Sequence, residues 1–90
     1  MLQTEIVTLS ISNTWDEWVK AFDSVETCEL HDRYGMQVLF RGVSPSDPTK
    51  VVVVLQTPEG VREQFLRDNK ELVESNGAVM DSVIASVWLG

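Results

Sequence analysis

The chain has 90 residues, 43% of them hydrophobic and 23% charged, with seven Lys and Arg against fourteen Asp and Glu for a formal charge of −7. That is the size and composition of one folded domain, too apolar for a disordered segment and too poor in cysteine for a disulfide scaffold. The charge opposes nucleic acid and anionic membrane, because no two basic residues are adjacent and the chain offers phosphates no basic footprint. Thr4 to Ile11 alternates, with Val7, Leu9 and Ile11 on one side and Ile6, Thr8 and Ser10 on the other, which predicts a strand. Thr14 followed three residues later by Glu17 is a capping box, so a helix starts near Trp15 and buries Trp15, Trp18, Val19 and Phe22. Ser24 caps a second short helix that runs to about Tyr34, and Gly35 stops it.

Met36 to Val43 reads as a second strand, Ser44 to Pro48 as a turn and Lys50 to Gln56 as a third strand. Four consecutive valines and a leucine in that third strand place it inside the sheet, buried on both faces. Thr57-Pro58 reads as the start of one long helix with Val61, Phe65, Leu72 and Val73 on its inner stripe, closed by Asn76-Gly77. Ala78 to Leu89 is the last strand, with Val83, Ala85, Val87 and Leu89 on one face and Ser82, Ile84, Ser86 and Trp88 on the other. Strand, helix, strand, strand, helix, strand is the ferredoxin-like βαββαβ order. It predicts a single α+β domain over residues 1–90, with a four-stranded antiparallel sheet, helices on one face, and the first and third strands central.

Two helices cover only one sheet face. The other carries Ile6, Ile84, Trp88 and one side of the valine strand. An apolar face of that kind marks an interface, and the expected partner is a second copy packed sheet against sheet.

A chain of this length and pattern, with a bare sheet face and a long last strand, resembles the dimeric α/β-barrel superfamily that includes antibiotic-biosynthesis-type monooxygenases. The stretches SNTWDEWVKAFDS, LFRGVSPSDPTKVVVV and DNKELVES are similar, more narrowly, to a family of short cyanobacterial proteins of unknown function. The superfamily resemblance implies a dimer with a cavity between sheet and helices, and a fold whose chemistries are too varied to transfer. Some of its cofactor-free oxygenases use His, Tyr, Trp or Asn near such a cavity.

His31 is the only histidine and can serve as a base or a ligand contact near neutral pH. Cys28, His31 and Tyr34 follow at helical spacing and share a face. Asn69 falls within the apolar stripe of the last helix, where a polar group needs a partner, and Arg41 sits among apolar strand residues where it can hold a carboxylate. Trp88 stands beside the small hydroxyls Thr8, Ser10, Ser82 and Ser86 on the open face. The pocket candidates are therefore His31, Tyr34, Arg41, Asn69 and Trp88.

Cys28-x-x-His31 is only half a metal site, and the surrounding acids disfavour Cys28 as a nucleophile. No metal and no cofactor are expected. The six acids Asp16, Glu17, Asp23, Glu26, Glu29 and Asp32 read as a solvated helix face, the alternative being a docking face for a basic partner. The first residues lack a basic start and an apolar core, and the longest apolar run is Val51 to Leu55, so the expected compartment is the cytoplasm. The reading favours a homodimeric binding or regulatory module with an apolar pocket and without catalysis of its own; the alternatives are a cofactor-free monooxygenase- or isomerase-type enzyme and an acidic-face interaction module.

Overall fold

The computed structural model describes residues 2–90. In chain order it contains β1 (Leu2–Ile11), α1 (Trp15–Phe22), α2 (Val25–Arg33), β2 (Gln37–Val43), β3 (Lys50–Pro58), α3 (Val61–Asp68), α4 (Lys70–Ser75) and β4 (Ala78–Trp88). The strands form one sheet in the order β2-β3-β1-β4. Every neighbouring pair is antiparallel, and the architecture is ferredoxin-like.

Register decides which side chains meet the helices. Val7, Leu9 and Ile11 of β1 and Val51, Val53 and Leu55 of β3 are buried on one face. Trp18 of α1, Phe65 of α3, Met36 and Ala78 complete that core. The alternate residues, Ile6 of β1 and Val52 and Val54 of β3, point to the open face. Both α1 and α2 begin as their sequences dictate. Glu17 N donates to Thr14 Oγ1 at 3.2 Å while Thr14 N donates to Glu17 Oε1 at 3.2 Å, and Thr27 N donates to Ser24 Oγ at 3.3 Å.

Three features differ from the sequence reading. Strand β3 runs on through Thr57 and Pro58, which pair with Gln3 and Leu2. A proline is tolerated there because it ends the strand, and helix α3 starts later, after Gly60. The long last helix is broken into α3 and α4 at Asn69, which leaves helical geometry at φ −119° and whose side-chain Nδ2 joins its own backbone N–H in donating to Phe65 O, each at 3.0 Å. Finally, a bulge between Val38 and Phe40 shifts the β2 register. The bulge delivers Phe40 to the open face opposite Val54, where its ring covers Gly42; a Cβ on Gly42 would lie 2.9 Å from that ring.

Gly77 closes the α4–β4 turn at φ 107°, and a Cβ there would strike the Asn13 side chain. Asn13 Nδ2 donates to Asn76 O at 3.0 Å, so this turn is tied to the end of β1 and admits only glycine.

Candidate functional site

Helix α2 lies over the β2 side of the sheet, and His31 projects from it into the layer between helices and strands. The residue is 7% exposed. It sits between Phe22 and Phe65, each with its ring centroid 5.3 Å away. Trp15, Trp18 and Phe22 stack in sequence on one side, and Tyr34 meets Phe65 edge-on at 5.1 Å on the other. His31 is therefore the polar member of a continuous aromatic row.

Neither ring nitrogen of His31 has a hydrogen-bond partner among the described residues. Burial holds the imidazole below its ordinary pKa of 6.5, and the nearby charge of Asp32 only partly offsets this. The ring is neutral at pH 7, with one donor nitrogen and one acceptor nitrogen free.

An apolar cavity of about 100 Å³ adjoins the ring. Val7, Leu9, Trp18, Leu55, Phe65 and Val83 form much of its wall. Three other polar residues line it, Thr27, Arg62 and Asn76, and the side chains of the first two are committed. Thr27 Oγ1 donates to Ala21 O at 2.9 Å. Arg62 Nε donates to Glu5 Oε1 at 2.8 Å, while Gln3 holds Glu5 Oε2 at 3.0 Å. Glu5 is 2% exposed, and this pairing is what permits a carboxylate inside the core.

A second, wider hollow of about 580 Å³ opens outward between α2 and the edge strand β2. Phe22, His31, Met36 and Val38 belong to both spaces, so they form the partition between an inner chamber and its vestibule. Cys28, Asp32, Leu39 and Arg41 line the vestibule alone. Across its rim Arg41 makes a two-pronged ion pair with Asp23, with Arg41 Nε 2.7 Å from Asp23 Oδ1 and Arg41 Nη2 on Asp23 Oδ2. The guanidinium holds the Asp23 carboxyl below its ordinary range.

The residues singled out from sequence thus fall in four places. His31 lies at the inner chamber and Arg41 on the vestibule rim. Tyr34 and Asn69 meet each other beside α3: Tyr34 Oη donates to Asp68 Oδ2 at 2.8 Å and accepts from Asn69 Nδ2 at 3.3 Å. The bond to Asp68 raises the Tyr34 pKa, so the phenol stays protonated and serves as a strap between α2 and α3. Trp88 stands on the open face, its Nε1 donating to Ser86 Oγ at 3.0 Å. Cys28 is an exposed free thiol whose Sγ lies 3.8 Å from Asp23 O.

Sequence reasoning passed over Glu5, Arg62 and Phe40. Glu5 carried a usable signal: it shares the odd parity of Val7, Leu9 and Ile11, and a charge on a buried parity requires a partner. Among the described residues no three His, Cys, Asp or Glu side chains converge as a metal site, and no helix is long and apolar enough to cross a membrane.

Residues 2–90 match the family described as a domain of unknown function (DUF3764), and the chain belongs to that family. No curated protein and no solved structure matches it.

Proposed function

We propose that the protein is a binding module for a small, largely apolar molecule with one hydroxyl or similar polar group. The observation that carries this reading is His31, a buried neutral imidazole with both nitrogens unpartnered at the wall of an apolar chamber. Its nitrogens are not sealed from solvent, because Asn13 Oδ1 is the one fully buried side-chain polar atom without a partner among the described residues; a ligand hydroxyl exchanges a water bond for a protein one, a net gain of about 1 kcal/mol. Apolar chambers of about 150 Å³ hold benzene. The inner chamber, at about 100 Å³, takes one ring or a short chain with its remainder in the vestibule. Binding is favoured over turnover because Thr27 and Arg62 are occupied, Asn76 is an amide without acid–base capacity, and Tyr34 and Asn69 bond each other apart from the chamber.

The test is calorimetric titration with phenol and toluene, which differ in the group offered to His31. Phenol should bind about tenfold more tightly than toluene to the native protein. His31→Leu should remove that preference. Equal affinities in the native protein, or no binding of either, would overturn the reading.

A second reading concerns assembly. Ile84 is 71% exposed, and Phe40 and Trp88 are each 59% exposed. Together with Ile6, Val52 and Val54 they make the uncovered sheet face apolar. A second copy packed on that face, as in dimeric α/β barrels, would remove these side chains from water. A standard interface buries about 800 Å² per partner. The exposed free thiol of Cys28 fits a reducing compartment such as the cytoplasm.

A further inference from the structure

We infer that the ligand is a carboxylic acid: an apolar body in the chamber beside His31, and a carboxylate in the vestibule that takes Arg41 over from Asp23. This rests on the binding reading above and adds the ligand's charged end. Three observations carry it. First, chamber and vestibule adjoin, with Phe22, His31, Met36 and Val38 lining both, so a ligand that turns one of these side chains aside reaches from one into the other. Second, Arg41 is the only cation lining the vestibule, and the geometry it offers Asp23 is the two-pronged one that recognises a carboxylate. Third, the existing pair is easily exchanged. The side chains of Arg41 and Asp23 are 37% and 44% exposed, so solvent screens their attraction, and a displaced Asp23 returns to water without a burial penalty.

Asp32 gives the vestibule a polarity. It lines the same space but lies seven residues along α2 from Val25, roughly 10 Å from the Asp23 end. Its charge repels an anion from that rim and leaves Arg41 as the place where a carboxylate is held. The walls between, Leu39, Met36 and Val38, suit an aliphatic linker.

The test uses ω-phenylalkanoates from phenylacetate to 6-phenylhexanoate, each beside its neutral amide, titrated calorimetrically into the native protein at low salt. At one or more chain lengths the acid should bind about tenfold more tightly than its amide. Arg41→Gln should abolish that preference while keeping phenol binding, which also reports that the variant is folded. Asp23→Asn removes the competitor and should tighten acid binding several-fold without affecting the amide. A merely structural ion pair would give the opposite sign for Asp23→Asn, with acid and amide weakened alike in both variants. Acids and amides of equal affinity across the series, in a protein that still binds phenol, would overturn this inference alone. A protein that binds neither series nor phenol would overturn the binding reading with it.

Discussion

The two faces of one sheet obey opposite rules. On the covered face β1 buries Glu5 beside Val7, Leu9 and Ile11, a charge among hydrocarbons. On the open face Ile84, Trp88 and Phe40 stand in water, hydrocarbons without cover. Residue type alone accounts for neither, because each misplaced group is explained by its partner. Glu5 finds Arg62 and Gln3 within its own chain. His31 and the open face find none among the described residues, and those two vacancies motivate the ligand and the second copy. The contrast also separates their energetics. An unmet imidazole needs one directional bond, whereas an apolar face needs area.

The largest expected effect lies on the open face. If the proposed dimer forms with a Kd at or below micromolar, the double variant Ile84→Glu, Trp88→Glu should weaken it to beyond about 1 mM, a loss of at least about 4 kcal/mol. Sedimentation velocity would show it, with the circular dichroism spectrum unchanged; a native chain that sediments as a monomer at micromolar concentration ends the dimer reading. On the covered face, Phe65→Ala opens the wall between His31 and Tyr34 and should cost about 4 kcal/mol in urea unfolding. Glu5→Ala should cost about 3 kcal/mol, since it leaves the half-buried Arg62 with only the exposed Glu63, 3.8 Å away. A cost below 1 kcal/mol would mean that Arg62 escapes to solvent.

The smallest effect is a pH dependence. The folded pKa of His31 lies below its unfolded value, so the unfolded chain binds more protons and stability rises with pH. His31's contribution is complete above the unfolded value of 6.5 and declines as pH falls from there toward the folded pKa. One proton limits the slope to about 1.4 kcal/mol per pH unit. His31→Leu should flatten the curve between pH 7 and 5, above the carboxylate range; an unchanged slope would assign it to other groups.

Much of this architecture is written in local patterns. Period-two alternation in β1, the Thr14–Glu17 box and the valine run of β3 each act over a few residues, and each predicts an observed element. What escaped the sequence depends on contacts between distant segments. Pro58 reads as a helix start until Leu2 is known to pair with it. The helical spacing of Cys28, His31 and Tyr34 is real, but the layers it faces differ. His31 meets the core, Cys28 the vestibule, and Tyr34 reaches across to Asp68. Phe40 looked like any strand residue, because the bulge that turns it outward is a property of the β2–β3 register. The candidate site was legible as one residue, His31; the chamber beside it is assembled from every layer of the fold.

Because His31 is the only histidine, its ring nitrogens give an unambiguous pair of signals in a long-range ¹H–¹⁵N correlation spectrum. The most direct test of the binding account is to follow that pair during a phenol titration at pH 7. The account predicts a neutral imidazole whose acceptor nitrogen shifts saturably, with one site per chain. Ring signals unmoved at millimolar phenol, or an imidazole already charged at pH 7, would contradict it.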